Sequence, residues 1–224
     1  RVAAIIEVSG SAPHSQHGNH GSNSLKEILH LLQNPERDNL VAMTAMNQLV
    51  ILKPAFLDGK QWDPILESSR IDSLLKRLPT HLKECTKIAL GHYFPSIEGI
   101  AHSYQTAQET LLIGKQMKNE DKKYLFEDFS LQVLLSGLKH NWRGDVLSNH
   151  YQQLQSFDAK GVLRKTLAAY IMHFGDLQHC ANALHIHRNT LRYRLDKIQA
   201  ITHVDIHTLD GLFSLYLGQL ITDQ

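Results

Sequence analysis

Cysteine is scarce: Cys85 and Cys180 are the only two in 224 residues, and they lie far apart in the sequence. That excludes a disulfide scaffold and points to reduced thiols in a cytoplasmic protein. No apolar stretch approaches the ~20 residues of a membrane-spanning helix. Nor does a charged segment followed by an apolar run and a small-residue cleavage site open the chain, so no secretory signal is read. Net charge is missing too, because 23 Lys and Arg against 22 Asp and Glu leave only +1. Taken alone, this balance argues against a nucleic-acid protein. A metal centre also lacks support. His14, His17 and His20 recur every third residue between Ser9 and Ser24, and neutral imidazoles are good ligands. That stretch has no cysteine and no carboxylate to orient the rings, so it reads as a solvated loop. No metal and no cofactor are expected.

The charge is unevenly spread. From Lys160 to Lys197 seven Lys or Arg face two Asp, which gives this segment +5 and leaves the remainder acidic. Within it, the run from His185 to Ile198 winds at 100° per residue into a helix with two distinct sides. Leu191, Leu195 and Ile198 fall on one side; Asn189, Tyr193 and Lys197 fall opposite, flanked by Thr190 and Arg192. Asp176 is a good N-cap for a shorter helix from Leu177 to Leu184, and a tight turn at His185-Ile186 joins the two. Two helices and a short turn make a helix-turn-helix, with small Ala181 where the helices must approach closely.

These residues carry a resemblance. The run LHIHRNTLRYRL from Leu184 to Leu195, continued through Thr202-His203-Val204-Asp205-Ile206 and Leu209-Asp210-Gly211-Leu212-Phe213, resembles the C-terminal helix-turn-helix of PucR-type bacterial regulators, and most closely the carbohydrate diacid regulators. One position departs from the common pattern: the turn residue often held by Gly is His185, which tolerates a left-handed backbone at some cost in strain.

Upstream, the apolar run Val2–Val8 reads as a buried strand, Leu25 to Gln33 as a helix, and Leu40–Thr44 and Leu49–Leu52 as strands joined by Ala45-Met46-Asn47-Gln48. Pro64 opens a helix carrying Ile65, Leu66, Ile71, Leu74, Leu75 and Leu78. A strand at Lys87–Gly91, a long helix capped by Ser96 and running to about Lys118, and a short strand at Tyr124–Phe126 complete the order β-α-β-β-α-β-α-β. This order, with Gly91 and Ser103-Tyr104-Gln105-Thr106-Ala107, resembles the degenerate nucleotidyl-cyclase-like (GGDEF-like) domain of the diacid regulators. The fold class expected is therefore an α+β GGDEF-like domain over residues 1–127, followed by an all-α helix-turn-helix domain over 128–224. An active cyclase of that family carries acidic residues in its Gly-Gly-Asp/Glu-Glu-Phe hairpin. Here the turn has no carboxylate, and Glu7 and Asp38 are isolated acids at strand ends, so the domain reads as non-catalytic and the chain as no enzyme.

Beyond residue 127 the apolar stripes are Phe129, Val133, Leu134 and Leu138, then Val146, Leu147, Tyr151 and Leu154, with Asn141–Gly144 between them. Asp158 caps a helix that buries Leu163, Leu167, Tyr170 and Ile171 and stops at Phe174-Gly175. The last helix, Asp205 to Ile221, offers Leu209, Leu212, Phe213, Tyr216, Leu217 and Leu220 either to the domain core or to a second copy of the chain in a homodimer.

The chemistry then assigns roles. Asn189 can make a bidentate contact to adenine, Thr190 can touch a thymine methyl, and Arg192 reaches the acceptors of guanine. Tyr193 suits a phosphate or sugar. Arg188, Lys197, Arg164 and Lys165 suit phosphates, where they set affinity without reading sequence. Arg194 fits a structural pair as well as it fits a phosphate. Sequence-specific binding of double-stranded DNA follows. The resemblance adds an activator of sugar diacid uptake and utilisation genes (glucarate, galactarate, glycerate), working with RNA polymerase. The other reading is a ligand- or nucleotide-binding regulatory module with an incidental helical tail. The resemblance also implies a separate sensor domain that binds the diacid ahead of the cyclase-like domain. Arg1-Val2 opens directly in a strand of that second domain, and the basic residues before 128 look scattered beside acids. The diacid site is thus expected to be absent, and DNA affinity insensitive to added diacid.

Overall fold

A computed structural model describes residues 1–9, 20–32, 38–56 and 62–223, and the chain divides into two compact units, Arg1–Val133 and Leu134–Gln224. The first unit contains β1 (Val2–Val8), α1 (His20–Leu32), β2 (Leu40–Ala45), β3 (Gln48–Lys53), α2 (Pro64–Arg77), α3 (Thr80–Lys83), β4 (Thr86–Leu90), α4 (Gly99–Met117) and β5 (Lys123–Leu125). Its sheet runs β2-β3-β1-β4-β5. Neighbours are antiparallel except β4 and β5, which are parallel. The β-α-β-β-α-β-α-β order read from the pattern is present, with the single turn α3 added.

β1 explains why this sheet forms. It occupies the centre, and side chains alternate between two covered faces, which is why its sequence is almost continuously apolar. Val2, Ala4, Ile6 and Val8 join the core that contains Leu25 and Ile28 of α1 and Ile71 of α2. Ala3 and Ile5 join the opposite core, with Ala107 and Leu111 of α4 and Tyr124 of β5. On that side α4 lies very close to the sheet. A Cβ at Gly91 would stand 2.1 Å from the Ser103 carbonyl oxygen, and the Ser103 Oγ accepts from the Ala3 amide at 2.9 Å.

Several boundaries move. The pattern starts α1 at Leu25, but the helix begins at His20, inside the stretch read as loop; His14 and His17 lie outside the described residues. The β2–β3 turn is tighter than read, Met46-Asn47 alone. Ile65 and Leu66, at the start of α2, are exposed, and buried Glu67 takes the inner position between Lys53 and Arg70. The two acids read as isolated are paired: Glu7 with Lys115 at 2.6 Å and Asp38 with Arg1 at 2.7 Å. The division at 133/134 falls beyond the expected 127/128, because Phe129 and Val133 pack into the sheet's α4-side core. The basic residues also converge more than their sequence positions suggest, since Lys53, Arg70 and Arg77 line one cavity.

The second unit is all helical: α6 (Trp142–Phe157), α7 (Val162–Met172), α8 (Leu177–Ala183), α9 (Arg188–Thr202) and α10 (Leu209–Thr222), with α5 (Ser130–Ser136) straddling the division. Asn141 to Gly144, read as a connection, is the start of α6. The Asn141 side chain accepts from the amides of Arg143 and Gly144, so the helix begins a turn earlier than the apolar stripe shows. Leu134 and Val146 turn outward. α7 begins at Val162 behind left-handed Gly161, and Asp158 still caps it through the Arg164 amide at 2.8 Å.

α10 packs along α6 and closes this core. Its inner line is Leu212, Leu215, Gly218 and Ile221, whereas Leu209 and Phe213, assigned to the stripe, remain exposed. A helix apolar on most sides does not reveal by pattern which side will be inner. Gly218 decides it, because a Cβ there would stand 2.7 Å from the Leu147 carbonyl oxygen and 3.1 Å from the Tyr151 Cβ. The close packing also dries Tyr151, and burial pushes its phenol up to about 12.

Gly218→Ala should therefore destabilise the helical unit by about 1–3 kcal/mol through overpacking, outweighing the ~1 kcal/mol that Ala gains over Gly in a helix. Gly137→Ala is the control, since nothing lies within 4 Å of the added carbon. Urea unfolding of both variants checks it: a loss at Gly218 and none at Gly137.

Candidate nucleic-acid interface

The site is built on α8, the turn after it, and α9. Asp176 caps α8, accepting from the amides of Gln178 and His179 at 2.8 and 2.9 Å. The His179 amide, with the His179 ring 3.1 Å away, holds the Asp176 carboxyl below the usual carboxylate range. A cap with a depressed pKa stabilises its helix above the carboxyl's unfolded value and loses that contribution as pH falls through the folded one.

α8 ends in a Schellman motif. Ile186 N donates to Ala181 O at 3.0 Å and His185 N to Asn182 O at 3.1 Å, which closes the last turn. The motif requires a left-handed residue between helices, and His185 supplies it with φ +53°. A β-branched side chain would fit there worse. His187 then caps α9, its Nδ1 accepting from the Asn189 amide at 3.3 Å. Sequence reasoning missed this role, because His is not among the preferred N-cap residues Ser, Thr, Asp and Asn. Its place directly before an amphipathic run is the available signal.

The orientation of α9 follows from burial. Leu191, Leu195 and Ile198 are at most 1 % exposed and share a core with Cys180 and Ala181 of α8, Leu163, Leu167 and Tyr170 of α7, and Tyr151 and Leu154 of α6. In this apolar contact the Cys180 thiol is fully buried, and burial pushes its pKa up. With that face committed, Arg188, Asn189, Thr190, Arg192, Tyr193 and Lys197 all stand exposed on the rest of the helix. They form a row of hydrogen-bond donors and cations about one helix wide, the width a major groove admits. Among the described residues no ion pair joins Arg192 to Asp196, so the arginine stays free to extend. Lys165 is exposed on α7.

Two arginines are used differently. Arg164, assigned to a phosphate, is turned into the α6–α7 corner: its Nε lies 3.8 Å from the buried Asp158 carboxylate and its guanidinium reaches the Asp158 carbonyl at 3.5 Å. A carboxylate removed from water draws its cation toward that corner. Arg194, left between two roles, donates to Thr166 Oγ1 of α7 at 3.5 Å and braces α9 on its support.

Residues 163–221 match the PucR C-terminal helix-turn-helix domain, and residues 1–113 match the GGDEF-like domain. The chain belongs to the PucR-type transcription regulators. Across the whole chain, 228 aligned residues are 36 % identical to the carbohydrate diacid regulator of Escherichia coli (strain K12), covering 100 % of this chain and 57 % of that protein. An uncharacterised protein of Haemophilus influenzae is 34 % identical over 88 % of this chain and 52 % of its own length. The DNA-binding transcriptional activator AdeR of Bacillus subtilis is 27 % identical over 80 % and 43 %. The chain thus spans about half the length of the curated relatives it matches. No described helix is long and apolar enough to cross a membrane.

The division of labour on α9 predicts two different losses. Asn189→Ala should weaken specific binding by about 1–3 kcal/mol and leave non-specific binding intact. Lys197→Ala should weaken both and lower the salt slope by about one. Titrations against matched and scrambled DNA at several salt concentrations separate them; an unchanged specific-to-non-specific ratio for Asn189→Ala would remove the adenine contact.

Proposed function

We propose that the regulator binds double-stranded DNA sequence-specifically and activates genes for the uptake and utilisation of sugar diacids such as glucarate, galactarate and glycerate. The observation that carries the DNA-binding half is the exposed row from Arg188 to Lys197, set against a buried face that leaves α9 no other way to turn. The diacid half rests on the likeness to the Escherichia coli carbohydrate diacid regulator along the full chain.

In this reading Asn189, Thr190 and Arg192 read base edges, and Arg188, Tyr193, Lys197 and Lys165 hold the phosphate backbone. Two copies meet a pseudo-palindromic site, as helix-turn-helix proteins commonly do, and RNA polymerase is the further partner. The work takes place in the cytoplasm. The GGDEF-like unit performs no catalysis, because the hairpin from Ala45 to Gln48 brings no carboxylate to a nucleotide's metal ions.

Fluorescence anisotropy with duplexes taken from upstream of diacid-utilisation genes tests the reading. It expects binding at least about a thousandfold tighter than to scrambled DNA of the same length at physiological salt. Equal affinity for both duplexes would leave only electrostatic attraction and favour the ligand-binding module.

A further inference from the structure

The cavity between α1 and α2, over the sheet, belongs to neither the DNA-facing surface nor the hairpin. It encloses about 130 Å³. Its floor is aliphatic, made by Ala4 and Ile6 of β1, Ile51 of β3 and Ile88 of β4, and its rim is cationic, made by Lys53, Arg70 and Arg77. Three cations around an apolar floor are an unusual use of charge, and their partners differ. Lys53 and Arg70 both pair with Glu67, whose side chain is 5 % exposed. Burial pushes the Glu67 carboxyl up, but the two cations override it and hold it below the usual range. One carboxylate thus balances two cations. Arg77 has no carboxylate partner among the described residues, so among these the rim holds three cations against the one carboxylate of Glu67.

We infer that this cavity binds a small organic monocarboxylate, its carboxylate on Arg77 and the open side of Arg70 and its apolar body on the aliphatic floor. A guanidinium fork pairs with a carboxylate through two parallel hydrogen bonds, which favours a planar anion over a spherical one. At about 130 Å³ the cavity is slightly smaller than the ~150 Å³ apolar cavity that accommodates benzene, so it holds the apolar body of such an anion with the carboxylate outside at the exposed rim. A polyhydroxylated diacid fits badly. Its hydroxyls would face Ile6, Ile51 and Ile88 without partners, and its second carboxylate would lie toward the buried Glu67. The ligand class therefore differs from the diacids of the proposed function, and the site stands or falls independently of DNA binding.

Isothermal titration calorimetry of the full chain with benzoate, inorganic phosphate and glucarate tests the assignment, alongside Arg77→Gln and Ser73→Trp. Both altered positions are exposed on α2 and line the cavity, one as the anion's partner and one at its mouth. Benzoate should bind at one site per chain, at least tenfold tighter than either phosphate or glucarate. Each substitution should weaken it at least tenfold, with the chain's unfolding temperature unchanged. The inference is overturned if benzoate gives no saturable binding at millimolar concentration, if phosphate or glucarate binds as tightly, or if both variants bind benzoate as the parent does.

Discussion

Everything about the exposed face of α9 depends on one apolar contact, the seating of Leu191, Leu195 and Ile198 against Cys180, Ala181 and the helices beneath. Burying these three side chains contributes several kcal/mol, at about 1.5–3 kcal/mol for each large aliphatic residue removed from water. It also sets the rotation of α9 about its axis. Once that rotation is set, the exposed positions of Asn189, Arg192, Tyr193 and Lys197 follow without any further interaction. Ala181, 2 % exposed, lies in this contact, so the surface chemistry rests in part on a methyl group on another helix.

The turn contributes a second constraint of a different kind. A helix-turn-helix keeps its geometry only if the backbone reverses within a few residues, and here left-handed His185 and the two Schellman hydrogen bonds accomplish the reversal. Two more such positions, Phe174 (φ +50°) and His203 (φ +56°), end α7 and α9. Non-glycine residues thus carry the left-handed turns at these three helix ends, with Gly175 following Phe174. The strain is offset by the capped carbonyls and by the core that these turns close.

Much of this was legible in the sequence, for identifiable reasons. The face of α9 could be read because its apolar residues keep strict helical spacing beside charged ones, a pattern with a single solution. β1 could be read because a seven-residue run broken only by Glu7 and otherwise apolar suits a strand covered on both sides. The inner side of α10 could not, because its apolar residues surround the helix and the choice falls to Gly218, whose importance lies in what it approaches. The pairing of Arg164 could not be read for a similar reason. A cation near a basic helix looks like a phosphate ligand until a buried carboxylate, Asp158, is found six residues before it at the same corner. The convergence of Lys53, Arg70 and Arg77 was equally hidden, because it depends on β3 and α2 meeting over the sheet.

In the proposed complex α9 enters the major groove with its polar face toward base edges. Methylation interference on a bound duplex tests it most directly, because one reagent marks guanine N7 in the major groove and adenine N3 in the minor groove. Methylated guanine N7 positions within the site should be depleted from the bound fraction, and Arg192→Ala should abolish the depletion at one of them. Interference confined to adenine N3, or none at guanine N7, would contradict it.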